Sequence, residues 1–423
     1  MRTILKFAVV LACLIYTSCD SPQEINSKPQ ELVNHEAQNE PKGIVNHEAQ
    51  NEPIDKPSKM PEFTWDTLPL YMHVRKAEAF DEREIQYLST FPLICLEKTT
   101  GMRSYKSTEE GSIRAAEAIK KLSPNSKVLY YRNVFVHYPF YEDDKKLALV
   151  KRPFLRGQKG EKKLVRKTVE AYDLANPDLR SWWVTNVTKV LANPAIDGLF
   201  LDGNIKVLEP KYLKKDLSVD QKEEIVEGYR LMMEKTKSAI GEDKLMIANI
   251  IRARFKDSGL SYMNYFDGSY LENFEKPIAG MSREDYLAQG IEAVQKAARS
   301  GKIIAMTLGL GEQAGDKLGI DDSRKDVKAL NGVQERFEYC MALFLICAEK
   351  YSYVYIHDGY DMNRNPDGSS KSKVWLKDFP EYKKALGPPK GPAIKAGYVY
   401  TREFEHLKVE VDISQQKARL QWF

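Results

Sequence analysis

From residue 68 onward the chain alternates short apolar runs with longer stretches of helical periodicity. Eight of the runs read as strands, over residues 70–74, 93–96, 127–131, 198–201, 245–248, 268–271, 303–306 and 353–356. Short continuous apolar runs fit strands buried on both faces, which is the mark of a parallel sheet. Amphipathic stretches lie between them, over residues 111–122, 176–191, 219–240, 283–300 and 327–350. Pro177 directly after Asn176 suits a helix N-terminus. Eight strand-then-helix units predict an α/β chain built as a (β/α)8 TIM barrel over residues 62–385. A doubly wound sheet is the alternative, but no glycine-rich dinucleotide loop follows an early strand, and no cofactor is expected. Past residue 385 the rhythm changes. Gly387-Pro388-Pro389 and Gly391-Pro392 interrupt the helical pattern, and residues 398–404, 407–413 and 418–422 then alternate with period two. This predicts a small antiparallel β appendage over residues 386–423.

The N-terminus follows a different pattern. Arg2 and Lys6 precede an apolar stretch over residues 7–15, and Tyr16-Thr17-Ser18-Cys19 follows. So short a segment reads as a removed export signal over residues 1–18 rather than a membrane span. Its end resembles a bacterial lipoprotein lipobox, with Tyr16 where the usual pattern has Leu. The resemblance implies acylation of Cys19 and a membrane partner through that lipid. Residues 19–61 are almost devoid of large apolar side chains and carry a direct repeat, residues 33–41 recurring at 45–53. A twelve-residue offset of this composition cannot bury a core, so the segment reads as a flexible tether. The expected location is the cell envelope, on the periplasmic or outer-membrane face.

Composition narrows the classes further. The chain has 423 residues, 43% of them hydrophobic, which supports a large core. Lys plus Arg number 64 against 60 for Asp plus Glu, so nothing in the balance points to nucleic acid. Five cysteines are far too few for a disulfide scaffold. Cys340 and Cys347 read as buried free thiols on an apolar helix. The histidines form no ligand-spaced cluster, so no metal is expected.

In a barrel of this kind the chemistry lies just past the C-terminal ends of the strands. Two strands share a local pattern there. Asp197-Gly198-Leu199-Phe200-Leu201-Asp202 ends the fourth, and Asp267-Gly268-Ser269-Tyr270-Leu271-Glu272 ends the sixth. In each, Asp-Gly opens the strand and a carboxylate closes it. Asp197 and Asp267 fall at the barrel bottom, where capping is their expected role. Asp202 and Glu272 converge on the mouth. A carboxylate directly after an apolar strand is costly without a partner or a task. Two of them across one opening can act as proton donor and as nucleophile or water-activating base. The bland alternative is an ion pair with a base such as Arg132. Other polar groups at strand ends are candidates for substrate contact: Glu97, Arg132, Asn133, Asn249, His357 and Asp358, with Glu97 or Asp358 able to replace Glu272 as the acid. Tyr131, Tyr138, Phe140 and Tyr141 offer rings for stacking on sugar faces. Trp182 and Trp183 read as core. The Lys- and Arg-rich stretch 145–167 reads as a solvated loop, with contact to an anionic glycan as the sharper alternative.

The segments Asn176-Pro177-Asp178-Leu179-Arg180-Ser181-Trp182-Trp183 and Ile196-Asp197-Gly198-Leu199-Phe200-Leu201-Asp202-Gly203 resemble hypothetical glycoside hydrolase families related to the α-galactosidases. So does the tail, Leu386-Gly387-Pro388-Pro389-Lys390-Gly391-Pro392-Ala393 with Tyr400-Thr401-Arg402-Glu403-Phe404-Glu405. The likeness spans residues 65–423. It implies a carbohydrate substrate, hydrolysis of O-glycosidic bonds, Asp202 as nucleophile and Glu272 as acid/base. Glu272 is longer than the Asp that many relatives carry there, so retaining and inverting outcomes both stay open. Two rival readings remain. One is a non-catalytic glycan-binding lipoprotein on the same scaffold. The other is an enzyme holding phosphate or metal at Thr307-Leu308-Gly309-Leu310-Gly311, a loop with few bases beside it.

Overall fold

The computed structural model describes residues 58–423 apart from 166, 210, 213–215, 256, 278–279, 311–326, 358 and 363–378. Cys19, the repeat and the expected tether up to residue 57 therefore lie outside the described residues, as do Gly311 and Asp358; the last four residues assigned to the tether, 58–61, are described, with Pro61 buried.

Eight parallel strands form one sheet: β1 (Met72–Val74), β2 (Leu93–Leu96), β3 (Lys127–Asn133), β4 (Gly198–Asp202), β5 (Leu245–Asn249), β6 (Gly268–Leu271), β7 (Ile303–Leu308) and β8 (Ser352–Ile356). Each pairs with its neighbour in chain order. The ring closes between its ends. Leu70 bridges Val354 in parallel, with Tyr71 N donating to Val354 O at 3.1 Å and Val354 N to Pro69 O at 2.9 Å. Around the ring run α1 (Glu82–Leu88), α2 (Thr108–Leu122), α3 (Pro177–Leu191), α4 (Val219–Ile240), α5 (Arg283–Arg299) and α6 (Val327–Cys347). This is the expected (β/α)8 barrel. One departure is that a six-residue 3-10 helix, Leu260–Tyr265, stands in for the helix between β5 and β6.

Helix starts follow from side-chain chemistry. Asp81, Ser107, Asn176, Ser218 and Ser282 each accept a hydrogen bond from a backbone N–H of the first turn. These groups have no partner within the helix, so a side-chain oxygen there defines where it begins. Asn176 followed by Pro177 behaves as expected.

The repeated Asp-Gly opening has one physical cause at both strands. Asp197 Oδ2 accepts Val128 N at 2.7 Å, and Lys120 Nζ donates to its other oxygen at 3.0 Å. Asp267 Oδ2 accepts Met246 N at 2.9 Å, and Lys59 lies 2.7 Å from Oδ1. Each Asp thus closes a backbone donor at the bottom of the preceding strand. The glycine then lets the next strand approach: a Cβ on Gly198 would sit 2.3 Å from Leu245 O, and one on Gly268 2.4 Å from Ile303 O.

Aromatic side chains fill the lumen. Phe200 stacks on Tyr131 with centroids 5.6 Å apart and meets Tyr270 edge-on at 5.0 Å, and His73 stacks on Tyr270 at 5.0 Å. The barrel is packed below its mouth, so a ligand can enter only from the rim. Trp183 is fully buried and Trp182 nearly so, as expected of core residues. Cys95, Cys340 and Cys347 are buried free thiols.

Four antiparallel strands follow: β9 (Ile394–Ala396), β10 (Val399–Glu403), β11 (Leu407–Asp412) and β12 (Lys417–Trp422). Leu407, Val409 and Val411 alternate inward, as period two predicts. Arg402 of β10 ties this sheet to the barrel. Its guanidinium is buried at the C-terminal end of α6. It donates to Leu345 O at 3.0 Å and to Ala348 O, and lies 3.1 Å from Glu349. Unpaired carbonyls and the negative end of the helix dipole favour a cation there. Replacing Arg402 with Met should leave these acceptors buried without donors. The expected loss is about 3 kcal/mol of unfolding free energy, read from urea melts.

Candidate active site

The strand ends bring four of the expected residues together at one mouth: Asp202, Glu272, Asn133 and Asn249. Asp202 terminates β4. Its Oδ2 accepts from Tyr131 Oη at 2.7 Å and from Asn133 Nδ2 at 3.2 Å, and its Oδ1 accepts from Asn249 Nδ2 at 3.3 Å. Burial pushes the Asp202 carboxyl up. The Lys206 charge, the Tyr131 hydrogen bond and the Lys98 charge outweigh it and hold the group below the ordinary aspartate range. Asp202 is therefore an anion with fixed orientation.

Glu272 follows β6 directly. Its Oε1 accepts from the same Asn249 Nδ2, at 3.1 Å, and Arg252 Nη2 stands 3.7 Å from it. Its side chain is 40% exposed, in contrast to the enclosed Asp202. Arg252 in turn donates to Asn249 Oδ1 at 2.5 Å and to Ile251 O at 2.8 Å. Asn249 is the hinge of the arrangement: its oxygen is fixed by Arg252 and its nitrogen joins the two carboxylates.

Asn133 has a positioning role. Its Oδ1 accepts from Phe135 N at 3.0 Å and Val136 N at 2.6 Å, which fixes the amide so that Nδ2 faces Asp202. Trp183 of α3 donates to Asn133 O at 3.1 Å, so the helix packing reaches the site through this residue.

Other expected contacts fall elsewhere. Glu97 is buried against Lys98, whose Nζ stands 2.7 and 3.0 Å from its two oxygens, and His73 lies 3.4 Å away. Burial raises Glu97, but Lys98 and His73 outweigh it and keep the carboxyl low, so it does not offer a proton as a replacement for Glu272. Arg132, 2% exposed, faces the helix layer rather than the mouth. It lies over the Tyr141 ring at 3.8 Å and 3.5 Å from Asp144. Neighbouring side chains alternate across a strand, so Tyr131 and Asn133 look inward and Arg132 cannot. The anticipated pairing of Arg132 with a site carboxylate is thereby corrected: Arg252 takes that position. His357 is also buried. Its Nδ1 accepts Gly359 N at 2.7 Å, and burial lowers its pKa to about 3, so it stays neutral. Its Nε2 is enclosed and has no hydrogen-bond partner among the described residues.

Of the four aromatics considered for stacking, Tyr131 and Tyr141 are buried, whereas Tyr138 and Phe140 remain partly exposed and parallel, 6.2 Å apart. Lys98 Nζ sits over the Tyr131 and Tyr138 rings at 4.7 and 5.4 Å. Three lysines of the basic stretch are answered by nearby carboxylates: Lys145 by Glu142, Lys162 by Glu170, and Lys163 by Glu161 and Asp216. These are the contacts of a solvated loop. Thr307 lies 3.4 Å from Tyr71 Oη, inside the lumen's own network.

Lys98, Lys206 and Arg252 are the site residues that sequence reasoning missed. Each lies one to four residues past a carboxylate or amide already singled out, and the missing signal was the turn geometry that folds them back.

Two cavities meet at Glu272. One, of about 390 Å³, is lined by Asp202, Lys206, Asn249, Arg252 and Arg254. The other, of about 500 Å³, is lined by Tyr270, Thr307, Arg336, His357 and Tyr360. Glu272, Asn273, Lys276 and Pro277 border both.

Among solved structures, the chain is similar to the glycoside hydrolase domain of PelA from Pseudomonas aeruginosa. The identity is 11%, over 59% of this chain and 87% of that one, with a TM-score of 0.41. It is also similar to the Nostoc punctiforme debranching enzyme, at 11% identity over 83% of this chain and 87% of that one (TM-score 0.43). A third is the GH36 α-galactosidase AgaA from Geobacillus stearothermophilus, at 10% identity over 81% and 47% (TM-score 0.44). No curated protein matches the chain. The model of Hypothetical glycosyl hydrolase family 15 matches residues 120–408, from the end of α2 into β11. That stretch is well over half of the chain and contains both carboxylates, and the chain accordingly belongs to Hypothetical glycosyl hydrolase family 15.

Proposed function

We propose that the protein is a retaining glycoside hydrolase of the cell envelope that cleaves O-glycosidic bonds of a poly- or oligosaccharide. Asp202 serves as nucleophile and Glu272 as acid and base. The observation that carries this reading is the single amide nitrogen of Asn249, which takes one oxygen from each carboxylate. A nitrogen shared at 3.3 and 3.1 Å keeps the two acceptor oxygens closer together than a pair that must admit a water between them, which suits a covalent glycosyl intermediate.

The environments divide the labour. Asp202 is held anionic and oriented by three donors, as attack on an anomeric carbon requires. Glu272 sits on the ridge between two cavities, where a glycosidic oxygen would lie with one sugar on either side. It donates its proton to that oxygen as Asp202 bonds to the anomeric carbon and the leaving sugar departs. The Glu272 carboxylate then accepts a proton from water. The resulting hydroxide equivalent attacks the anomeric carbon, and the aspartate is released.

The envelope location rests on the N-terminal pattern, in which the apolar stretch 7–15 is followed by Tyr16-Thr17-Ser18-Cys19. Acylated Cys19 would hold the barrel at the membrane through the tether.

Asp202→Asn and Glu272→Gln should each lower kcat about 10³-fold or more with the urea midpoint unchanged. Reducing-end release from a polysaccharide panel reads the loss, and NMR of the first-formed anomer reads retention. Glycan binding without cleavage by the intact protein would favour the non-catalytic alternative. Because Asp202 is held below the ordinary aspartate range, the acid limb of kcat/KM should lie below that range as well. Tyr131→Phe removes a 2.7 Å donor to the anion, so that limb should move upward. Cys19→Ser should shift the protein from the membrane pellet to the soluble fraction, as followed by immunoblotting.

A further inference from the structure

The two cavities that meet at Glu272 differ in charge. On the far side from Asp202, Arg336 is already spent. Its Nη1 donates to Glu275 Oε1 at 3.1 Å, its Nη2 pairs with the other oxygen of the same carboxylate, and its Nε donates to Gly309 O at 3.0 Å. Besides His357, which is neutral, Lys276 is the one further base in that cavity's described lining, and it borders both cavities. The Asp202 side is different. Lys206, Arg252, Arg254 and Lys276 line it, and Glu209 is the one carboxylate there besides the reacting pair. Arg252 is committed to Asn249 and Glu272. Lys206, Arg254 and Lys276 make no ion pair with a carboxylate among the described residues, and Arg254 and Lys276 are exposed at the rim. Lys206 also acts on Asp202 through its charge.

The cavity's lining holds four bases against three carboxylates; Arg252 answers Glu272 and Lys206 acts on Asp202, which leaves Arg254 and Lys276 at the rim without a paired counter-charge among the described residues. An anionic group on the bound sugar supplies it. We infer that the sugar ring seated against Asp202 is acidic, so that the substrate is a polyanionic glycan carrying carboxylate or sulfate groups rather than a neutral one. This rests on the hydrolase reading for the identity of the ring, but not for the charge of the cavity. The ring on the His357 side meets no such demand from Arg336, which is neutralised by Glu275.

The test uses the full-length protein carrying Glu272→Gln, so that binding is read without turnover. The probes are polygalacturonate, alginate, hyaluronan and heparin, each paired with its carboxyl-reduced form, which for heparin is also desulfated. Backbone and linkage are then held constant while charge is removed. Affinity electrophoresis or calorimetry should show at least one polyanion bound, about tenfold tighter than its neutral counterpart. That preference should weaken as salt rises from 50 to about 500 mM. Arg254→Ala with Lys276→Ala, both at exposed positions, should weaken polyanion binding about tenfold and leave the reduced polymer's affinity unchanged. Equal retention of charged and reduced forms, no retention of any polyanion, or indifference to the double substitution would each overturn the inference. Cleavage assays with the unsubstituted protein report separately on the hydrolase reading. A neutral glycan cut by the intact protein and spared by Glu272→Gln would keep that reading and remove the charge. A polyanion bound but never cut would do the reverse.

Discussion

The structure at the mouth turns on how a half-buried carboxylate is kept charged. An aspartate at the end of an apolar strand loses its water, and only donors aimed at its oxygens restore what burial removes. Tyr131, Asn133 and Asn249 supply those donors from β3 and β5, on either side of β4. None of the three is free to turn. Asn133 is fixed by two backbone amides, Asn249 by Arg252, and Tyr131 by stacking on Phe200. The same set of contacts places Glu272, because the nitrogen that steadies Asp202 also holds Oε1 of the second acid. One rigid amide therefore decides the spacing on which the chemistry depends.

That rigidity is inherited from the barrel. Parallel pairing in chain order brings β4, β5 and β6 side by side, so residues ending alternate strands face each other across Asn249. The lower end is held by the two Asp-Gly openings, in which a side chain closes a backbone donor and a missing Cβ admits the next strand. Identical chemistry at the bottoms of β4 and β6 keeps both strands in register, which in turn sets the height of both carboxylates at the top. The C-terminal sheet reinforces the ring from outside, where Arg402 satisfies carbonyls that α6 cannot pair for itself.

The mouth also shows how a barrel separates charge that serves structure from charge open to ligand. Glu97 with Lys98 and Arg336 with Glu275 neutralise each other in place. Lys206, Arg254 and Lys276 are left facing a cavity beside the reacting pair. The difference lies in partners rather than in residue type, since both groups occur at comparable positions past strand ends.

Much of this was legible along the chain. The eight apolar runs, the period-two tail, the Asn176-Pro177 helix start and the carboxylates ending the fourth and sixth strands all follow from local patterning, because alternation, capping and burial are properties of neighbours in sequence. Arg132 shows where that logic ends. A strand-end arginine looks like a site residue until the pleat sends it to the other face, under Tyr141, while Arg252 arrives from a loop three residues beyond Asn249. Glu97 and His357 were likewise visible as strand-end polar groups, yet Lys98 and the Gly359 amide claim them. The sequence by itself determined the barrel, its appendage and the candidate acids. Only the tertiary structure decided which polar groups share a partner, because hydrogen bonds between strands join residues that are far apart in the chain.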